Sequence, residues 1–140
     1  MKEEKRKIIK VFLTKEEADR AFGELIRRAF AKKLEKPVVD ETFISIDELV
    51  RILTPRRMEL LTKIQELKPN SITELAQKIG RDFKNVYNDL KALAVVGLVE
   101  FEGEGRNKRP YLPYEKVKFE FAKSDMDIKE LSALGALKSA

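Results

Sequence analysis

Between Ser71 and Leu112 the chain reads SITELAQKIGRDFKNVYNDLKALAVVGLVEFEGEGRNKRPYL, and the order of signals in that stretch admits few folds. Ser71 stands where a helix N-cap is expected, and Glu74 follows three residues on, the spacing of a capping box in which two side chains satisfy amides left open at a helix start. Ile72, Leu75, Ala76 and Ile79 then recur at helical spacing. Gly80 is placed to end this helix, because the residue after the last turn commonly takes a positive φ that carries no steric penalty for glycine. Asp82 is the expected cap of a second helix, Phe83 to Val96, in which Val86, Leu90 and Leu93 share one face and Gly97 marks the stop.

The opposite side of that second helix is polar. Lys84, Asn85, Asn88 and Lys91 are expected to point away from the core, in a helix whose first turns can enter a DNA major groove. Asparagine pairs bidentately with adenine and lysine contacts guanine or phosphate, whereas Asp89 and Glu100 do not suit a phosphate surface. After Gly97, Val99 and Phe101 alternate with Glu100 and Glu102, the period of a half-buried strand. Gly103 and Gly105 then predict a turn, with Arg106, Asn107, Lys108 and Arg109 at its exit, so that a hairpin carries three cations toward the backbone of bound DNA. The expected architecture is α+β, mainly α: a winged helix-turn-helix with the 83–96 helix in the major groove and a basic wing over 103–109.

At Thr54 to Phe121 the residues resemble a family, the winged-helix regulators of broad MarR-like type, in particular a group of DNA-binding proteins and predicted transcriptional regulators of archaea and bacteria. The matching run is TPRRMELLTKIQELKPNSITELAQKIGRDFKNVYNDLKALAVVGLVEFEGEGRNKRPYLPYEKVKFEF, and its most specific pieces are Arg81 with Asp82, Lys84 to Val86, Gly97 to Val99, and Arg109 with Pro110. The resemblance extends upstream through the Phe43-Ile44-Ser45 segment. It implies a dimeric protein that binds double-stranded DNA and performs no catalysis. Some members resemble the antitoxin half of a toxin and antitoxin pair, which adds a small protein toxin as an alternative partner. Tyr87 departs from the pattern, at a site where a smaller or more polar residue is expected, and its two readings are stacking on a sugar or packing. Arg81 also has two readings, a DNA contact or a salt bridge; Asp82 is assigned to structure. Each cation taken singly is also explained as a solvated charge; together they fall on the surfaces a winged helix presents to DNA.

Composition excludes much else. The 140 residues suggest one domain with extensions, and the net charge of +5 is compatible with an anionic partner without identifying one. Zero Cys removes disulfides and thiolate chemistry, and zero His removes the usual general base and the commonest zinc ligand. The carboxylate pairs Glu3 with Glu4 and Glu16 with Glu17 lie in charged segments with no pocket to shift a pKa. No enzyme, cofactor or metal is therefore expected. No apolar run approaches the roughly 20 residues that span a bilayer, and the charged N-terminus lacks a signal-peptide core, so a cytoplasmic protein is expected. Charged residues make up 38%, a balance enriched in proteins from hot environments.

Residues 1–53 are expected to form a strand-helix extension, 54–121 the winged helix, and 122–140 a C-terminal helical tail. Ile9, Val11 and Leu13 define a candidate strand, and Thr14 caps a helix running to about Leu34 with a wide apolar stripe. Phe22, Leu25, Ile26, Ala29 and Phe30 in that stripe are the candidate homodimer surface, since reading a palindromic site requires two copies at fixed spacing. The alternative is packing within the chain, against the 46–53 helix and the hairpin. Thr42 to Ile44 is a short strand candidate; Ser45 caps IDELVRIL; Thr54 with Pro55 opens the next helix and Pro69 closes it. Val117, Phe119 and Phe121 alternate with Lys116, Lys118 and Glu120, a further strand whose candidate partner is Ile9 to Leu13. In the tail, Ile128, Leu131 and Leu134 share a helical face interrupted by Gly135.

Overall fold

Strand β1 (Arg6–Phe12) lies at the centre of a three-stranded sheet, flanked by β2 (Asp40–Ser45) and β5 (Lys116–Phe121), and both pairings are parallel. The computed structural model describes residues 5–31 and 40–121 of the chain. Between β1 and β2 runs helix α1 (Lys15–Ala31), the long crossover that a parallel pair requires. Four helices follow, α2 (Ile46–Ile52), α3 (Pro55–Leu67), α4 (Ile72–Ile79) and α5 (Phe83–Val95), then the antiparallel hairpin of β3 (Glu100–Glu102) and β4 (Arg109–Tyr111), and finally β5.

Alternation along β1 divides two layers. Ile9 and Val11, in register with Phe119 and Phe121 of β5, are buried in one cluster with Ile44, Leu49, Leu60, Ile64, Ile72, Leu75, Val86, Leu90 and Leu93. Leu90 and its neighbours in the cluster therefore hold sheet and helices together, and Leu90→Ala is expected to cost about 2–5 kcal/mol. On the other face Phe12 packs against Phe43 with ring centroids 5.9 Å apart, and Phe22 of α1 reaches the same ring edge-on at 6.0 Å. Helix α1 accordingly packs on β1 and β2, which corrects the alternative of packing against the 46–53 helix and hairpin. The expected Ile9–Leu13 strand is also shifted: it spans Arg6–Phe12 and leaves Leu13 exposed beyond its end.

The cap residues stand where the sequence places them. Ser45 Oγ accepts from Glu48 N at 3.3 Å, Thr54 Oγ1 from Arg57 N at 3.3 Å, Ser71 Oγ from Glu74 N at 3.0 Å and Asp82 Oδ2 from Asn85 N at 3.4 Å. The capping box differs in one detail, since Glu74 reaches the amide of Asn70 at 2.6 Å instead of Ser71's own. Helix α3 ends at Leu67, ahead of Pro69, through Lys68 in the left-handed region at φ 43°.

Lys7 is buried in the core layer at 3% exposure. Its Nζ lies 3.6 Å from Asp40 Oδ1 and 5.2 Å from the centre of the Tyr114 ring, and the Tyr114 hydroxyl donates to Asp40 Oδ2. Burial and the Asp40 carboxylate raise the Tyr114 pKa above its ordinary value, keeping the hydroxyl a donor. The chain passes over this lysine at Gly97, with φ of 77°, where an added Cβ would stand 2.7 Å from Lys7 Nζ. Thus Gly97 is needed for its backbone conformation, and a side chain there would also displace the Lys7 ammonium.

Candidate nucleic-acid interface

Helices α4 and α5 are joined by Gly80-Arg81-Asp82, and Gly80 makes the turn possible at φ 68°, donating its N–H to the Ala76 and Gln77 carbonyls. The buried Val86, Leu90 and Leu93 fix which side of α5 faces inward. Lys84, Asn88 and Lys91 consequently fall on the outward side at i, i+4 and i+7, with Asn85 beside them, and all four are exposed.

The hairpin is tied to the start of α4. Ile72 N donates to Lys108 O at 2.9 Å and Thr73 Oγ1 to Arg106 O at 3.4 Å. These bonds set the loop 103–108, which includes a 3₁₀ turn over Gly105–Asn107, beside the wing-facing flank of α5. Phe83 and Tyr87, one helical turn apart, stack there at 6.0 Å and 8°. The Arg106 guanidinium lies 5.3 Å from the Phe83 centroid, Lys91 Nζ lies 5.4 Å from Tyr87, and Lys108 Nζ sits between Tyr87 at 5.6 Å and Phe101 at 5.5 Å. Tyr87 thus packs against Phe83 and carries two cations, Lys91 and Lys108, over its ring.

The other flank of α5 has a different arrangement. Asp89 Oδ2 accepts from Arg81 at 2.7 Å, and Asp89 Oδ1 accepts from Arg57 Nε at 3.1 Å. Arg57 also donates to the Arg51 and Ile52 carbonyls at the end of α2, so one carboxylate fastens α3, the turn and α5. This ion pair is the salt-bridge reading of Arg81. Arg109 is likewise committed: its Nε donates to Glu102 at 3.1 Å across the hairpin, and its guanidinium lies 4.9 Å from the Tyr111 ring centre. Tyr111 in turn donates to Glu100 at 2.8 Å, and that carboxylate raises its pKa. Asn107 is exposed in the loop, as is Glu104, a negative charge at the tip.

Sequence reasoning brought Arg81, Lys84, Asn85, Tyr87, Asn88, Lys91, Arg106, Asn107, Lys108 and Arg109 together, and the fold gathers them around α5 and the hairpin. It passed over Phe83, Phe101 and Arg57. The i, i+4 spacing of Phe83 and Tyr87 was the one available signal; Phe101 and Arg57 join the site only through tertiary contacts.

Two helices crossing through a tight turn, followed by a hairpin beside the second, define the winged helix-turn-helix fold, here of α+β class and mainly helical. A family model described as HVO_A0114 matches residues 52–119, from the end of α2 into β5. Among solved structures, the chain is similar to the homodimeric winged helix-turn-helix DNA-binding domain (fragment 1–100) of a Mycobacterium bovis protein described as a possible ArsR-family transcriptional regulator. The identity is 21% and the TM-score 0.41, covering 67% of this chain and 80% of that one. No curated protein matches the chain. Among the described residues no helix is long and apolar enough to cross a membrane, and no group of three or more potential ligands could hold a metal ion.

Proposed function

We propose that this protein is a sequence-specific DNA-binding transcriptional regulator that works as a dimer, with α5 in the major groove and the 103–109 loop on the adjacent backbone or minor groove. The observation that carries the reading is a contrast in how cations are satisfied. Lys84, Lys91, Arg106 and Lys108 have no carboxylate partner among the described residues, while Arg57, Arg81 and Arg109 around them each have one. Converging positive charges without internal counter-charge raise the local potential, and a phosphate backbone supplies the missing anions.

Roles follow from position. Asn85 and Asn88 are the candidates for reading base edges, with Asn88 at the centre of the outward face. Lys84, Lys91, Arg106 and Lys108 hold phosphates, Asn107 adds a neutral donor in the loop, and Tyr87 steers Lys91 and Lys108. Arg81 and Arg109 serve chiefly to shape the reader. The resemblance to MarR-like regulators supports the same assignment. Fluorescence anisotropy with fragments of the gene's own upstream region tests it: binding should weaken with salt, with a log-log slope of roughly −7 for a dimer that brings four phosphate contacts from each protomer. Absence of binding to every fragment at low salt overturns the proposal.

A further inference from the structure

Gly97 and Tyr114 stand at the two ends of the wing segment, one where the chain leaves α5 and the other just past β4. Both meet the same buried side chain. The Gly97 backbone passes so close to Lys7 Nζ that an added Cβ would stand 2.7 Å from it, and the Tyr114 ring centre lies 5.2 Å from the same atom. Asp40 of β2 completes the cluster, with Oδ1 3.6 Å from Lys7 Nζ and Oδ2 accepting from the Tyr114 hydroxyl. A hairpin whose entry and exit converge on one ammonium has its root held there. Lys7 and Asp40 both precede the 52–119 stretch matched above, so this root is built by the N-terminal extension.

Stability alone does not account for the arrangement. Lys7 is buried, and its carboxylate partner among the described residues, Asp40, is half-exposed, whereas an apolar side chain of similar volume is often as stable as a buried ion pair. Val96, Leu98 and Val99 around the turn are buried too, but apolar burial is non-directional and does not set the angle at which a strand departs. An ammonium held by a carboxylate and a ring face does, because it occupies one point relative to β1 and β2. At the far end of the hairpin, Ile72 and Thr73 donate to the Lys108 and Arg106 carbonyls, and a hairpin tied only there is left to pivot about α4.

We propose that Lys7 is a positioning residue for the wing, fixing the angle between α5 and the hairpin so that Arg106 and Lys108 reach the backbone of the same DNA that Asn88 reads. This rests on the DNA-binding reading above and deepens it by assigning the aim of the wing to β1 and β2. Lys7 itself, at 3% exposure, is buried too deeply to touch DNA.

Lys7→Met, made in the full-length protein, keeps the apolar stem of the side chain and removes the ammonium. Without DNA, the Gly97 and Leu98 amides, bonded to the Ala94 and Leu93 carbonyls, should exchange with deuterium about tenfold faster in Lys7→Met while the Ile64 amide of α3 keeps its rate. With DNA, the salt slope should flatten from roughly −7 to about −4, as the Arg106 and Lys108 contacts are lost from each protomer. Adding Lys108→Ala to Lys7→Met should then cost no further affinity, whereas adding Lys84→Ala should cost its full amount, a pattern that general loosening does not give. Tyr114→Phe, which keeps the ring beside Lys7 and releases Asp40, should move the same readouts in the same direction by less, and it decides the matter if Lys7→Met does not fold. Unchanged exchange at Gly97 and Leu98 in the folded variant, or a Lys108→Ala effect as large there as in the unsubstituted protein, overturns the proposal. The exchange measurement contains no DNA, so failure of the clasp and failure of the DNA-binding reading are told apart.

Discussion

On the flank of α5 that faces the turn, Arg81 and Arg57 end on Asp89 at 2.7 and 3.1 Å; on the flank that faces the hairpin, Arg106, Lys91 and Lys108 end over the rings of Phe83, Tyr87 and Phe101. The first arrangement spends both cations on one shared carboxylate, halving their charge, and stiffens the joint between three helices. The second positions its cations while leaving their charge intact, since an aromatic face attracts a cation without cancelling it. Identical residue types thus do structural work on one side and stay available to an anionic partner on the other. A list of basic residues taken from the sequence merges the two groups; their counter-charges separate them.

Stability and salt dependence should divide along the same line. The largest effect is expected from Asp89→Ala, which strands Arg57 and Arg81 beside a carboxylate site that is only 15% exposed. A loss of about 3 kcal/mol in urea unfolding is expected, with Arg81→Ala losing less because Arg57 keeps its partner. Next comes Asn88→Ala, which should leave unfolding unchanged and cost ~1–3 kcal/mol of DNA affinity at the preferred site, with altered base preference. Lys91→Ala should weaken all DNA sequences alike and flatten the salt slope of the dimer by about two units, one for each protomer, without changing the urea midpoint. A Lys91 variant that unfolds early, or an Arg81 variant that flattens the salt slope as much, would erase the distinction between the flanks. Tyr87→Leu, which preserves bulk and removes the ring face, should cost about 0.5–1 kcal/mol per cation released, read as a smaller loss of affinity than Asn88→Ala gives.

The smallest effect concerns acid. Lys78, 2.9 Å away, and the Asn70 amide lower the Glu74 pKa below 4.5. A carboxyl with a depressed folded pKa contributes stability above its unfolded pKa and loses it as pH falls through the folded value. Glu74→Gln should therefore be slightly less stable at neutral pH, and its deficit should shrink below pH 4.5, as read by thermal melts across the acid range.

Local signals make the winged helix legible in the sequence alone. Ser45, Thr54, Ser71 and Asp82 act within three residues of themselves, and Val86, Leu90 and Leu93 needed only the helical period. The alternation in Lys116–Phe121 even indicated a partner, and β5 does pair with β1. What stayed hidden depends on residues brought together from afar. Nothing near Lys7 announces burial, because its partners Asp40 and Tyr114 arrive from β2 and the end of the hairpin segment. Arg57 stands 32 residues from Asp89, and neither carries a mark that they meet. The α1 stripe was visible but its cover was not, for periodicity reports that a face is apolar and never what lies against it. The tail 122–140 and the expected last turn of α1 to Leu34 lie outside the described residues.

Placing the first strand of the described residues at the centre of its sheet sets an order on how the protein is made. Arg6 through Val11 must pair on one side with Lys116 through Phe121, among the last residues of the described chain to leave the ribosome. Until then β1 can satisfy only its β2 side, and its other edge presents unpaired amides and carbonyls to whatever strand is near. Pairing across such a sequence distance is slow to close. The nascent polypeptide therefore carries an exposed edge until Lys116–Phe121 has been made, and a chain cut short before Lys116 keeps it.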